Sequence, residues 1–411
     1  MNFQEYLFVG VDTHKNIHSA VVINFFHQKI ANLSVPNNAA KFGDFIDQLE
    51  NLGHNDETLV FGLEDTQGLG RPLAQWLVNK GYTVKEVNPA ITKRQRKHNP
   101  NPDKSDEVDA KAIANALLSE WEDLPVVEED EVFQAIRQLH NQRKQFVKQR
   151  TAIKNRLHKL LHQQYPDYEQ FFSNPFGKTA RAFWQKFPHP SLLKNYGETR
   201  LNKFLKKQAR SIPNDKASKI LSLVDKDKSI NTAVEARISI IKMLLDNLAM
   251  VESNLEKIDP KLEEAVNKSD YQLTTMPGIG FRLAALFISN IRNIDRFSSA
   301  DKLARYAGLA PVEYSSGSSR SHTSRKYGCR ALNHAFHLLA VQQVGEYRNG
   351  KIKSQIAYSY YQKKLAEGKS KMAALTCLER RLVDIIYAMM RDRSVYQPPE
   401  LPEYDTFNRA S

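Results

Sequence analysis

The first ninety residues alternate short β-forming runs with helical ones, and this rhythm constrains the fold more than any other feature. Residues 6–11 are an apolar run that ends on Asp12. Residues 18–26 form a second such run, and residues 30–35 alternate weakly enough to give a third strand. Helical spacing follows over residues 42–52, then a fourth strand over 58–63 that ends on Glu64. A helix over 71–80 and a fifth strand over 81–87, closed by Asn88-Pro89, complete the series.

Three strands, a helix, a strand, a helix and another strand is the order of a ribonuclease-H-like domain. In an open sheet the ends of neighbouring strands approach one another, so Asp12 and Glu64 can face one site. After residue 102 comes Asp103-Lys104-Ser105-Asp106 and a helical run over 107–121, with Ser105 or Asp106 as its cap. Asp106 and Asp109 are three apart on that helix and share a face. Four carboxylates gathered there repel unless a cation holds them, and oxygen-only ligands select Mg²⁺ or Mn²⁺ over zinc. Two such ions activate an attacking oxygen and stabilise the leaving oxygen of a phosphodiester. Each acid also has a plain alternative. Asp12 before Thr13 can cap a turn, Glu64 can be a surface acid with Asp65 as the rival ligand, and Asp106 and Asp109 suit any helix N-terminus.

The chain carries a formal net charge of +13, an excess that suits a polyanionic partner. The charge is concentrated. Residues 132–166 contain no acid but hold Arg137, Arg143, Lys144, Lys148, Arg150, Lys154, Arg156 and Lys159. Leu139, Phe146, Ile153 and Leu160 recur at heptad spacing, which predicts a long helix with an apolar stripe and a basic remainder. A second basic stretch, rich in Pro and Asn, reads as a loop over residues 93–102 and brings Lys93, Arg94, Arg96 and Lys97, with Lys104 just beyond. These are the expected contacts to nucleic-acid phosphates.

Residues 166–230 are aromatic, basic and broken by prolines, which predicts short helices. Residues 233–265 have the periodicity of a coiled-coil or bundle helix. The turn Met276-Pro277-Gly278-Ile279-Gly280 between apolar stretches has the form of a helix-hairpin-helix, whose Gly278 and Gly280 let backbone N–H groups approach a phosphate. Helical runs over 281–291 and 299–307 follow. Residues 308–317 read as a loop, and 316–330 are crowded with Ser, Arg and Lys. A serine beside Gly317 can act as a nucleophile, with Arg320, Arg325 and Lys326 neutralising phosphate charge. A phosphate-contacting loop is the plainer alternative. Three amphipathic helices, over 331–344, 352–366 and 371–391, lead to a Pro-rich tail. Cys329 and Cys377 have no metal or disulfide spacing and read as buried thiols.

An ordered set of motifs resembles a known family: Gly10-Val11-Asp12-Thr13-His14-Lys15, Gly62-Leu63-Glu64-Asp65-Thr66, Asn88-Pro89, Asp103 through Ala110, Met276 through Gly280, and Ala307-Gly308-Leu309-Ala310-Pro311 running into Ser316-Gly317. In this order they look like the DEDD transposases of the insertion-sequence "one-ten" family, which includes the Piv DNA invertase. The resemblance covers both ends of the chain; residues 161–268 match mainly as a helical spacer. It implies a RuvC-like domain, a coiled-coil segment and a C-terminal transposase domain, with Asp12, Glu64, Asp106 and Asp109 as Mg²⁺ ligands. It also implies a serine, mapped to Ser316, that becomes covalently linked to DNA. Related members use a structured RNA from their own element to pair with donor and target DNA, and work as dimers that assemble into tetramers with a composite site. The second motif departs from the shorter Glu-x-Thr-Gly of many members, which keeps Asp65 open beside Glu64. The stretch after Ser316 is shorter than in some relatives, which keeps Ser315 and Ser318 open beside Ser316.

The expectation is therefore an α/β plus all-α chain: a RuvC-like catalytic domain over 1–160, a helical coiled-coil segment over 161–268 and a mostly helical transposase domain over 269–411. Its function would be site-specific DNA recombination that moves an insertion sequence under RNA guidance. A RuvC-like structure-selective nuclease, needing the acids but not Ser316, and a non-catalytic nucleic-acid scaffold are the rivals. No apolar run is long enough to span a membrane, and the first residues lack the basic start and apolar stretch of a signal peptide, so a cytoplasmic location is expected.

Overall fold

The computed structural model describes residues 3–52, 57–64, 68–97, 105–122, 124–127, 131–193, 196–209, 211–226, 233–310, 312–316, 319–323, 328–347 and 349–398, with the side chains of 90, 96, 97, 312–316 and 319–323 outside that description. The chain divides into two compact units, Met1–Glu131 and Val132–Ser411.

The first unit contains β1 (Tyr6–Asp12), β2 (Ile17–Ile23), β3 (Lys29–Pro36), α1 (Phe42–Glu50), β4 (Thr58–Leu63), α2 (Arg71–Asn79), β5 (Thr83–Glu86), α3 (Pro89–Lys97) and α4 (Asp106–Ser119). The strands form one sheet in the order β3-β2-β1-β4-β5. β1, β2 and β3 are an antiparallel meander, while β4 and β5 run parallel to β1. Residues 124–127 bridge antiparallel to the outer side of β5 through Lys85 and Val126.

Strand alternation divides the core between two faces. Leu7, Val9 and Val11 of β1 and Leu59, Phe61 and Leu63 of β4 pack with Phe42, Phe45 and Ile46 of α1 and Leu73 and Leu77 of α2. Phe8 and Val60 face the other way, against Ala110, Ile113, Ala114 and Leu117 of α4. Helix α4 approaches very closely because the strands offer no side chain where it crosses. A Cβ on Gly10 would stand 2.2 Å from the Ala114 backbone N and 2.3 Å from the Ala110 carbonyl oxygen. Lys85, buried beneath the end of α4, donates to the Trp121 and Leu124 carbonyls.

Helix α3 corrects the expectation of a loop beginning at Lys93. Pro89 opens the helix with its φ already set, and the Asn88 carbonyl accepts from the N–H groups of Ile91 and Thr92. Ile91 packs against the α4 core and Thr92 is buried. So short an apolar stripe in a basic segment leaves no readable periodicity.

The second unit is built on two long helices, α5 (Glu131–Gln164) and, after α6 (Lys178–Lys186), α7 (Glu198–Gln208) and α8 (Lys216–Lys226), α9 (Val234–Lys268). α5 and α9 run antiparallel along a seam of Leu139, Phe146, Val147 and Ile153 against Val251, Leu255 and Ile258. At one end of the seam an aromatic core gathers Tyr165, Phe171, Phe183, Trp184 and Phe187. At the other, α10 (Phe281–Ile291), α11 (Ala300–Tyr306), α12 (Arg330–Val344), α13 (Gln355–Ala366) and α14 (Lys371–Arg391) enclose a larger aliphatic core. Residues expected as a loop over 308–317 instead contribute to a hairpin of β6 (Val312–Ser316) and β7 (Ser319–Thr323), in which Ser316 pairs with Ser319. Only Val312 and Tyr314 alternate as apolar residues in these two strands, too short a pattern for alternation to reveal them. Cys329 and Cys377 are free thiols, half-buried rather than fully buried.

Candidate active site

Asp12 is the last residue of β1, and the β1–β4 ladder ends on the pair Val11–Leu63. Glu64 therefore follows Leu63 beside Asp12, and strand alternation carried one residue on directs both toward the α4 face, with Gly10 and Gly62. α4 delivers the other two acids. Ser105 caps it by accepting from the Val108 N–H, so Asp106, Glu107 and Asp109 occupy its first turn, where the helix dipole favours negative charge. Lys29 of β3 holds Glu107 at 2.6 Å and so ties that turn to the sheet.

The carboxylates of Asp12 and Asp106 converge on His14, whose Nε2 lies 3.2 Å from Asp12 Oδ2 and 3.4 Å from Asp106 Oδ2. One donor atom from each of these three residues lies within 4.8 Å of the others. Burial holds the Asp12 carboxyl above its ordinary pKa; the His14 imidazole opposes this, while the Asp109 and Asp106 carboxylates push it further up. Asp109 thus belongs to the same electrostatic cluster. The donor set suits a divalent ion: a buried carboxyl whose pKa neighbouring carboxylates raise further, beside a buried imidazole nitrogen 3.2 and 3.4 Å from two carboxylate oxygens.

His14 is the participant that the four-acid pattern missed. Its signal was the Asp12-x-His14 spacing, since residues two apart at a strand end lie on one side. The turn that carries it is held on both sides. The His14 N–H donates to His18 Nδ1 at 3.0 Å, and Asn37 Nδ2 donates to the carbonyls of His14, Lys15 and Leu69. His18 is fully buried and its pKa is lowered, first by that burial, so the imidazole stays neutral and accepts the backbone proton.

The expected nucleic-acid contacts separate into two groups. Arg143 donates to Asp259 at 2.6 Å, an acid that Arg282 also holds at 2.5 Å. Lys154 lies 3.8 Å from Glu252, which Arg181 also binds. These α5 cations face α9. Lys144, Lys148, Arg156 and Lys159 are exposed, and at about 100° per residue they fall within one stripe about 120° wide. Arg150 is half-buried. On α3, Lys93 is exposed and Arg94 pairs with Glu120; Arg96 and Lys97 lie on the same helix with side chains outside the description. Gly278 adopts φ +88° and its turn packs on α12, where Gln343 donates to the Pro277 carbonyl. Gly280 is the N-cap residue of α10. Ser315, Ser316 and Arg320 have described backbones in the β6–β7 hairpin. Asp65, Lys104, Ser318, Arg325 and Lys326 lie outside the described residues.

Comparison with known proteins gives this arrangement a class. Residues 9–166 match a family model for DEDD transposases, described as "Transposase". Residues 270–357 match another, described as "Transposase IS116/IS110/IS902 family". The chain is 25% identical over 396 residues to the 44.8 kDa protein of insertion element IS116 from Streptomyces clavuligerus, covering 95% of this chain and 96% of that protein. It is 24% identical over 397 residues to the 42 kDa protein of insertion element IS900 from Mycobacterium paratuberculosis, covering 95% and 97%. A more partial similarity, 28% over 156 residues, links it to the pilin gene-inverting protein of Moraxella lacunata, covering 36% of this chain and 46% of that protein. The α/β unit with acids at its strand ends, followed by a basic helical unit, is therefore that of a DNA transposase, an enzyme of recombination. More specifically, the chain belongs to the IS110 family of transposases. Among the described residues no helix is long and apolar enough to cross a membrane.

Proposed function

We propose that this transposase cuts and rejoins DNA through a covalent phosphoserine intermediate, with Asp12, Glu64, Asp106 and Asp109 of a RuvC-like domain holding Mg²⁺ or Mn²⁺. The observation that carries the metal reading is the convergence of Asp12, His14 and Asp106 at the end of β1, with Asp109 electrostatically coupled to them. When bound, the ions neutralise charge on the scissile phosphate and on the leaving oxygen. The chain's own contribution is to set the acids on rigid strand ends and on a capped helix turn.

In the covalent step the Ser316 Oγ–P bond forms as a P–O bond to deoxyribose breaks. The serine hydroxyl loses its proton to a base, and the departing oxygen takes one up. Rejoining reverses the step with a different deoxyribose hydroxyl. Alternation beyond β4 supports Glu64 over Asp65 as the ligand, and Ser316 pairs with Ser319 at the end of the described β6–β7 ladder. The exposed stripe of α5 and Lys93 of α3 suit phosphates of DNA or of an A-form guide RNA. The same reading includes domains over 1–160, 161–268 and 269–411, and dimers that assemble into tetramers.

The test is adduct trapping. Full-length protein is incubated with Mg²⁺ and an element-junction DNA nicked so that the cut end diffuses away, together with RNA that co-purifies with it. A covalent protein–DNA species lost in Ser316→Ala and in Asp12→Ala, but kept in Ser315→Ala, is expected. Strand exchange that survives Ser316→Ala with no adduct would replace this mechanism with water-mediated cleavage.

A further inference from the structure

We propose that His14 is a direct ligand, through Nε2, of the divalent ion held by Asp12 and Asp106, so that the centre is a mixed oxygen–nitrogen site. This rests on the metal-centre reading above. The distances suit an imidazole that shares an ion with the acids. A charge-assisted N–H···O bond spans about 2.7–2.9 Å. Nε2 is buried and stands further off, at 3.2 Å from Asp12 Oδ2, the length of a weak hydrogen bond, and 3.4 Å from Asp106 Oδ2. Adjacent ligands on an octahedral ion with bonds of about 2.1–2.2 Å lie about 3.0–3.1 Å apart, because the edge is √2 times the bond. The two Nε2···O distances lie close to that edge, and one donor atom from each of Asp12, His14 and Asp106 lies within 4.8 Å of the others.

The backbone supports a ligand role. The turn bearing His14 is fixed by the hydrogen bond from its N–H to buried His18 and by two from the Asn37 carboxamide, to the His14 and Lys15 carbonyls. Such anchoring holds an imidazole without help from its own ring nitrogens. The chemical consequence is a shift in metal preference. Carboxylates alone suit Mg²⁺ and Mn²⁺ alike, whereas an imidazole favours the transition ion, so this centre binds Mn²⁺ in preference to Mg²⁺.

The experiment uses the full-length protein with Mn²⁺ alone as probe, read by pulsed electron paramagnetic resonance on protein with ¹⁴N- or ¹⁵N-labelled histidine. A histidine-nitrogen coupling is expected in the wild type and absent in His14→Gln, which also binds Mn²⁺ at least roughly tenfold more weakly while its Mg²⁺ affinity changes less. Mn²⁺ binding that Asp12→Asn abolishes, but that shows no histidine coupling, overturns the His14 assignment and leaves the carboxylate centre standing. A coupling that persists in His14→Gln overturns it equally. A wild-type protein that binds no Mn²⁺ overturns the metal centre itself. Because the coupling is read in the wild type, the proposal is decided even where His14→Gln fails to fold.

Discussion

Gly10 of β1 and Gly62 of β4 are direct partners in the parallel ladder, and α4 lies against both. The two positions are not equally tight. A Cβ at Gly10 would meet helix backbone at 2.2–2.8 Å, whereas one at Gly62 would meet the side chains of Val87 and Leu117 at 3.2–3.3 Å. Side chains can turn aside; a helix backbone must move as a whole. Gly10→Ala is therefore expected to cost about 2–3 kcal/mol or more in denaturant unfolding, and Gly62→Ala under about 1.5 kcal/mol. Since α4 carries Asp106 and Asp109, Gly10→Ala also weakens Mn²⁺ binding in titration calorimetry. Equal stability losses for the two variants would contradict this seating of the helix on the two glycines.

Asp12 should destabilise the metal-free protein it serves. Its carboxyl pKa is raised by burial and by Asp109 and Asp106, so ionisation is less favourable in the fold than in the unfolded chain. Without metal, then, Asp12→Asn is expected to melt higher than the wild type at neutral pH, and the difference shrinks as the pH is lowered and the wild-type carboxyl protonates. Adding Mn²⁺ reverses the order, because a ligand that binds only the folded wild type raises its melting temperature. Thermal melts of both proteins, with and without Mn²⁺, measure the crossover.

The placement of the acids was legible in the sequence, because each lies at or just past the end of a strand or in the first turn of a helix, where local pattern is strong. For His14 the Asp12-x-His14 spacing was the one sign, and a histidine two residues past a strand looks like any turn residue until the backbone brings it between Asp12 and Asp106. Helix α3 hid behind its basic run and the Asn- and Pro-rich residues 99–102 that follow it, and the β6–β7 hairpin behind its serines. The partners of Arg143 and Lys154 lie on a helix about a hundred residues away, beyond any local pattern. A run of one-sign charge says only that a helix is basic, not which cations it has already committed to the second helix.

His140 makes stability depend on acid. Burial, then Lys144 and Arg143, lower its pKa to about 4, so it stays neutral in the fold. In the unfolded chain it titrates near 6.5. Between those values the unfolded state binds a proton that the folded state refuses, so stability falls as the pH drops from about 6.5 to about 4. A contribution of about 1–2 kcal/mol is expected, allowing for screening at a helix surface. Unfolding curves of His140→Gln should be flatter across that window, and an unchanged slope would show that His140 does not carry the acid dependence.

Gly278 and Gly280 separate structure from recognition within one turn. Gly278 adopts φ +88°, and a Cβ there would meet Gln342 of α12 at 3.3 Å. Gly280 has φ −92° and open space around it. Gly278→Ala is expected to lower stability by about 1–2 kcal/mol, and Gly280→Ala to leave it within about 0.5 kcal/mol. If this turn meets phosphate, Gly280→Ala instead weakens nucleic-acid binding in filter assays, because the added methyl group blocks close approach of the α10 N-terminus.

The two faces of α5 predict opposite results for neighbouring lysine and arginine. Arg143 shares Asp259 with Arg282 on the seam with α9, and the two guanidiniums outweigh the burial that would otherwise raise the Asp259 pKa. Arg143→Ala is expected to cost about 1–2 kcal/mol of stability, since Asp259 keeps a single partner. Lys144 and Lys148 are exposed on the other side. Their alanine variants should unfold within about 0.5 kcal/mol of the wild type. Their effect appears in nucleic-acid affinity measured against salt, where removing a cation that neutralises one phosphate lowers the slope of log affinity on log salt by about one. An Arg143→Ala variant that kept its stability but gave up as much salt slope as Lys148→Ala would show that the seam, and not only the exposed stripe, meets the phosphates.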